Sequence, residues 1–343
     1  ALQQGTDAHI RRCVKGRESM ERNICVFQDF LTQPHRERLD AAARAAKMHV
    51  RYFATGQFEE AKEHLQHCEV LYAQSPQLLR AAPPTLRWYC TSSAGVDLYC
   101  RNDGIFANPD CLLSNSNTYG VTIAEHVVMV ALMLLRRMPD YLDSIQNHIW
   151  APPLPVRSIR GCEVTILGTG DIGCHVAQRM RSMGAAKIIG LSRSGKSREA
   201  VYDAFYPIGD LDAVLCETEL LVMALPDTAQ TRGMLDRRRI ALLPRQALVI
   251  NVGRGTAIEQ EALADALNEG RLSGAALDVA VPEPLPADNP LWTAKNLILT
   301  PHISGNMTLG YTCDANVEMF CTDLANYAAG RPLVHLVDRA RGY

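Results

Sequence analysis

The apolar positions along this chain change rhythm once. From about Asn23 to Asn117, short apolar runs at 24–27, 69–72 and 86–90 alternate with helical or loop stretches such as 57–68, the pattern of a small α/β unit. Gly120 is a candidate hinge, and residues 121–137 after it predict a helix that is apolar on nearly all sides. Such a helix must be covered, either in a domain core or at a subunit interface. Pro152, Pro153 and Pro155 then interrupt the chain, and regular strand and helix alternation begins. The predicted strands are Glu163–Leu167, 187–191, 220–224, 247–251, 274–279 and Leu297–Leu299. Helices such as 172–183 and 259–269 lie between them, the second closed by Gly270 as a C-cap. Strands separated by helices imply a parallel, doubly wound sheet, whose ligands bind beyond the carboxyl ends of the strands.

Composition narrows the class of function. A chain of 343 residues is long enough for two domains, and 47% hydrophobic with 21% charged residues is a globular balance. The net charge of -2 gives no electrostatic case for nucleic acid or an anionic membrane. The one compact basic run, Arg237, Arg238 and Arg239, reads as a solvated helix face. Eleven cysteines are scattered singly with no C-x-x-C pair, so neither a zinc site nor a disulfide framework is written, and a reducing, cytoplasmic setting is expected. His64, His67 and Cys68 share a helical face but have no second ligand cluster, so they read as ordinary residues at a helix end. The longest apolar run, at 127–135, is nine residues, far short of the roughly 20 needed to span a bilayer. Residues 1–19 are polar and patternless and enter no functional reading.

The first chemical signal is Gly168, Thr169, Gly170, Asp171, Ile172 and Gly173, a G-x-G-x-x-G string directly after a predicted strand and directly before a predicted helix. In that context the glycines make the turn, admit a pyrophosphate and let helix pack on strand, while the helix N-terminus offers free N–H groups. After the next strand, where an NAD site carries an acid for the ribose hydroxyls, stand Ser192, Arg193 and Ser194, followed by Lys196. An acceptor is missing and a cation is supplied, which suits a 2'-phosphate; NADP is expected over NAD. An Arg193 that merely stacks on adenine would tolerate either.

The second signal is three polar residues at consecutive predicted strand ends: Arg254 after the fourth strand, Glu283 after the fifth and His302 after the sixth. Singly they could be a surface cation, an exposed carboxylate and a turn residue. Together they match the needs of 2-oxo acid reduction. Arg254 supplies a planar fork for the carboxylate and polarises the ketone. His302 is the proton donor, Glu283 orients its ring and favours the imidazolium, and the cofactor provides hydride.

With these residues in view, the chain resembles the D-isomer-specific 2-hydroxyacid dehydrogenases, whose members include hydroxypyruvate and glyoxylate reductases. The motifs are TSSAGVD at Thr91, NTYGVTIAEH at Asn117, GTGDIG at Gly168, ALPDTAQTRGM at Ala224, INVGRGT at Ile250, ALDVAVPEPLP at Ala276 and TPHISG at Thr300. The resemblance implies a Rossmann domain at 120–306, inserted into a smaller flavodoxin-like substrate domain made of 23–119 and 307–343, behind a tail at 1–22. It implies substrate-carboxylate binding by backbone N–H groups of Ser93, Ala94 and Gly95, with Arg254 and His302. Cofactor contacts fall on Gly168 to Gly173, Ser192 to Ser194, Leu225, Pro226, Thr231, Val252, Gly253, Asp278 and Gly305. The family's usual dimer tilts the 121–137 helix toward an interface, so a homodimer acting on a small 2-oxo acid is expected. Two features depart from the pattern: the missing acid after the second strand, and PHISG where PHIAG is more usual. The competing reading is an NAD(P)-sensing, corepressor-like binding protein without significant turnover. A formate dehydrogenase is disfavoured, since it carries Gln where Glu283 stands.

Overall fold

The computed structural model describes residues 22–101, 104–195 and 200–342. The expected tail therefore lies outside the described residues apart from Arg22, and so does Lys196. The chain divides into two units, 1–118 with 307–343 and 119–306.

The first unit contains β1 (Asn23–Phe27), α1 (Gln33–Ala45), β2 (His49–Phe53), α2 (Phe58–Leu65), β3 (Val70–Ala73), α3 (Pro76–Arg80), β4 (Trp88–Cys90), α4 (Asp97–Arg101) and β5 (Leu112–Ser114), and the long final helix α11 (Gly310–Ala328). Its five strands are parallel in the order β2-β1-β3-β4-β5, the flavodoxin-like order. Strand alternation divides its core in two. Cys25, Phe27 and Leu71 pack on the α2 side, with Ala61 and Leu65. Ile24, Val26 and Tyr72 pack on the other side, with Leu39 of α1 and Phe320 and Leu324 of α11. Phe320 stacks on Tyr72 and Trp88, with ring centroids 4.3 and 5.1 Å apart, so the final helix is part of this unit's core. His64 and Cys68 have packing roles here: the His64 ring lies 5.5 Å from that of Phe53, and the Cys68 thiol donates to the His64 carbonyl.

The second unit contains α5 (Gly120–Leu135), α6 (Met138–Gln146), β6 (Glu163–Leu167), α7 (Asp171–Ser182), β7 (Lys187–Ser192), β8 (Ala204–Pro207), α8 (Leu211–Leu215), β9 (Leu220–Met223), α9 (Arg237–Leu242), β10 (Leu248–Asn251), α10 (Gln260–Asn268), β11 (Gly274–Leu277) and β12 (Leu297–Leu299). The sheet is parallel throughout, in the order β12-β11-β10-β9-β6-β7-β8. Strand order reverses between β6 and β9, the switch point where a doubly wound sheet opens a crevice. The expected doubly wound sheet with a second α/β domain is what forms.

Gly120, the candidate hinge, is the first residue of α5. That helix is not covered on all sides within the chain: Ile123, Ala124, Val127, Val130, Ala131 and Leu134 form one buried stripe, while Met129 on the opposite side is 47% exposed. The Arg237–Arg239 run lies on a largely exposed helix face and carries surface ion pairs: Arg238 and Arg239 both reach Asp212 at 2.7 Å and Arg237 reaches Asp265 at 2.6 Å. Those hydrogen bonds hold the Asp212 carboxyl down to about 2. Among the described residues, no helix is long and apolar enough to cross a membrane.

Candidate active site

A parallel sheet puts every strand's carboxyl end on one edge, so the loops of the second unit line up in sheet order. Across that edge come His302 after β12, Glu283 after β11, Arg254 after β10, Leu225 and Pro226 after β9, the glycine loop after β6 and Arg193 after β7. Neighbouring strands lie about 4.8 Å apart, so side chains on adjacent strand ends can meet.

His302 and Glu283 do meet. Nδ1 of the ring lies 2.8 Å from Glu283 Oε2, and Glu283 Oε1 accepts the Ala280 N–H at 3.0 Å, which fixes the carboxylate from its other side. A carboxylate can only accept, so Nδ1 carries the hydrogen and Nε2 is the nitrogen left for exchange with a ligand. The two side chains are 48% and 41% exposed. An ion pair this open contributes at most about 1 kcal/mol to stability, so its consequence is orientation. Arg254 stands one strand over, its Nη1 donating to the Gly253 carbonyl at 2.8 Å. Its loop is tied by Asn251, which is 1% exposed, accepts the Gly253 N–H and donates to the Arg254 carbonyl.

The loop that presents His302 has one organising group. Asp278 is 2% exposed, and its carboxylate accepts from Thr300 Oγ1 at 2.7 Å, Ile303 N–H at 2.9 Å and Ser304 N–H at 3.0 Å. Its backbone carbonyl accepts the His302 N–H at 2.8 Å. A buried carboxylate is tolerated only when so satisfied, and in return it fixes a backbone that does not hold itself: His302 has φ +55°, a left-handed conformation uncommon for a residue with a Cβ. The sequence marks Asp278 only as a cofactor contact and misses its role as a strut. The available signal is an acid at the very end of an apolar strand.

The phosphate loop has the shape a dinucleotide requires. Gly168 has φ +97°, and a Cβ there would stand 2.5 Å from the Ala224 carbonyl oxygen. At Gly173 a Cβ would lie 2.0 Å from the Gly168 oxygen, so the close packing of α7 on the turn excludes any side chain. A Cβ at Gly170 meets nothing within 4 Å, leaving open space at the N-terminus of α7 for a phosphate. These residues fit the group that the sequence implies. The Asp171 carboxyl accepts the Gly120 N–H and lies 3.6 Å from His175 Nε2, and burial pushes it above its ordinary value against both partners.

Arg193 is exposed at the end of β7, and Ser192 and Ser194 bracket it with hydroxyls 3.5 Å apart. Thr231 closes the turn after β9 through a hydroxyl bond to the Pro226 carbonyl at 2.6 Å. Leu225 and Val252, in the turns after β9 and β10, are buried, 7% and 5% exposed. Gly253 and Gly305 lie in the loops that follow β10 and β12.

In the first unit, Ser93, Ala94 and Gly95 follow β4 at that sheet's carboxyl edge and are all partly exposed. The Ser93 N–H donates to Thr91 Oγ1 at 3.3 Å, so of the three N–H groups expected to bind a ligand this one already has a partner.

Comparison with known proteins places the fold in a family. Residues 128–304, just over half the chain, match the D-isomer specific 2-hydroxyacid dehydrogenase family in its NAD binding domain. A glyoxylate/hydroxypyruvate reductase A of Salmonella newport (strain SL254) is 34% identical over 224 residues, 65% of this chain and 70% of that one. The crystal structure of a family protein from Aeromonas salmonicida superposes with a TM-score of 0.79 at 32% identity, covering 94% of this chain and all of the other. An NADPH-dependent glyoxylate/hydroxypyruvate reductase from Sinorhizobium meliloti, crystallised with NADP and sulfate, superposes with a TM-score of 0.77 at 28% identity over 94% of this chain and all of its own. A parallel sheet with a dinucleotide loop at its switch point, an acid-paired histidine at the strand ends and these likenesses lead to one assignment: the chain belongs to the D-isomer specific 2-hydroxyacid dehydrogenase family of NAD(P)-dependent oxidoreductases.

Proposed function

We propose that the protein reduces a small 2-oxo acid of the glyoxylate or hydroxypyruvate kind to its D-2-hydroxy acid, with NADPH preferred over NADH. The observation that carries this reading is the 2.8 Å His302–Glu283 pair on the ends of β12 and β11, with Arg254 on the neighbouring end of β10. The names of the Salmonella and Sinorhizobium relatives support the substrate class, and Arg193 in place of an acid supports NADPH.

When bound, the nicotinamide supplies a hydride to the carbonyl carbon. His302 gives the Nε2 proton to the carbonyl oxygen, which completes the alcohol, and keeps Nδ1–H on Glu283. Its ring leaves the step neutral and regains a proton from the solvent that reaches this half-exposed pair. Arg254 binds the carboxylate and draws electron density from the ketone. Backbone N–H groups of Ala94 and Gly95 bind carboxylate, and Gly168 to Gly173, Ser192 to Ser194 and the Leu225–Pro226 and Val252–Gly253 turns hold the cofactor. The reading includes a cytoplasmic homodimer. Met129, Val128 and Leu132 on the side of α5 left uncovered within the chain support a second copy there.

The test is a panel of glyoxylate, hydroxypyruvate and a bulkier 2-oxo acid, each with NADPH and NADH. Turnover of the two small acids, faster with NADPH, is expected. Tight NADPH binding with no oxidation by any of them would replace the enzyme with a sensor.

A further inference from the structure

The first unit holds polar side chains where a two-layer sheet needs only apolar ones. Thr91, Ser92, Ser114, Ser116 and Asn316 are at most 1% exposed. Asn316, on α11, donates its Nδ2 hydrogens to the Ser92 carbonyl at 3.2 Å and Ser116 Oγ at 2.7 Å, with Thr118 Oγ1 at 3.4 Å beside them. Its Oδ1 accepts the Tyr72 hydroxyl. The Ser92 carbonyl can only accept, which settles which end of the amide faces it.

What this knot holds is the segment after β4. Ser116 N–H donates to the Ser93 carbonyl at 3.0 Å, Asn115 Nδ2 to the Ala94 carbonyl at 2.7 Å, and Thr91 N–H to the Ser114 carbonyl at 2.9 Å. The carbonyls of Ser92, Ser93 and Ala94 are thus each taken by Asn316 or by the 114–118 segment that Asn316 ties. In a trans peptide the C=O and the following N–H point in opposite directions. Holding the Ser93 and Ala94 carbonyls therefore turns the N–H groups of Ala94 and Gly95 the other way, side by side. Among the described residues those two N–H groups donate to no protein acceptor. Two adjacent N–H groups so presented form a concavity for an anion.

We propose that Asn316 is a positioning residue for the substrate carboxylate. It locks the 91–95 loop to the 114–118 segment, through which the chain leaves this unit, and so keeps the Ala94 and Gly95 N–H groups pre-aimed. The inference rests on the carboxylate role given to those two residues above. A purely structural Asn316 would lower stability and leave affinity alone, so affinity is the readout.

In N316D the donor becomes an acceptor facing the Ser92 carbonyl and Ser116 hydroxyl at unchanged size. For the NADPH complex of the full chain, we expect the Kd for oxamate, an unreactive 2-oxo acid analogue, and the KM for glyoxylate to rise about tenfold, with kcat within about threefold. NADPH affinity stays unchanged. Y72F, which removes only the hydroxyl that fixes the amide, should raise both constants about threefold and decides the matter if N316D does not fold. Folded variants with unchanged oxamate Kd and glyoxylate KM, whatever their melting temperature, overturn the proposal while leaving the reductase reading intact. A wild-type complex that neither binds oxamate nor reduces any 2-oxo acid overturns that reading, and the positioning role with it.

Discussion

Both units present loops at the carboxyl edge of a parallel sheet, yet they hold those loops by different means. In the second unit the His302–Glu283 pair is open to solvent, and one buried carboxylate, Asp278, gathers donors only 22 to 26 positions away. In the first, the loop after β4 is fastened by a buried amide 224 positions distant from the carbonyl it binds. The loops that carry Arg254, Glu283 and His302 are local devices, each written on one strand and its following turn. The 91–95 loop depends on contacts made across the length of the chain, closed only when α11 returns.

The largest expected effect tests whether chemistry is confined to the second unit. His302→Asn keeps a hydrogen-bonding side chain but offers no transferable proton. It should lower kcat by about 10²- to 10⁴-fold while NADPH binding stays as in wild type, measured by fluorescence titration. Near-normal turnover in this variant would remove the proton-donor role and with it the contrast drawn here.

Next in size is the strut. Asp278→Asn puts a donor where the Ile303 or Ser304 N–H now finds an acceptor, so the loop must shift and His302 with it. Since an ångström of misplacement costs about 10²-fold, kcat should fall about 10- to 100-fold with little change in glyoxylate KM. An Asp278→Asn enzyme as fast as wild type would mean that backbone bonds alone hold the loop and that Asp278 serves only the cofactor.

This contrast also sets how much could be read in advance. The six strands 163–299 recognised from sequence all form, within about two residues of their expected ends, because each is an apolar run with turn signals on both sides. The unrecognised strands β2, β5 and β8 all lie at sheet edges. β2 reads His-Val-Arg-Tyr-Phe with alternate residues exposed, which suits an edge and breaks the apolar run. The placement of His302, Glu283 and Arg254 after neighbouring strands was legible because strand-end position is a local property. Asn316, Tyr72 and Ser116 were not, because a polar residue's partner 200 or more positions away leaves no mark on its own neighbourhood. The apolar helix left core and interface open for the opposite reason: composition shows that a face is apolar, while only packing shows which face this chain covers itself.

A smaller effect concerns the far end of the cofactor. Arg193→Asp exchanges the cation after β7 for the acid of an NAD site, so NADPH should bind about 10- to 100-fold more weakly, the worth of a charge-assisted hydrogen bond or two, while NADH binds equally well or better. Parallel Kd measurements with both nucleotides decide it. Equal losses for both would make Arg193 an adenine contact rather than a phosphate contact.

The smallest effect compares one histidine from each unit. Burial holds the His126 imidazole below its ordinary value, against the pull of Asp278, and burial, then Arg51 and His67, hold His64 down as well. In each case the unfolded chain takes up the proton first as pH falls through about 6.5, so stability is lost on the acid side and is greatest where both forms are neutral. Replacing either histidine with Gln should flatten the acid limb of a plot of Tm against pH. Only His126 touches the catalytic loop's support. Thr300 gives its single proton to Asp278, so the 3.4 Å contact to His126 Nε2 must have the ring as donor. His126→Gln should therefore also move the pH profile of kcat, while His64→Gln leaves it where it was. If both variants shift that profile alike, the first unit is felt in the chemistry and the division between binding and reacting loops does not hold.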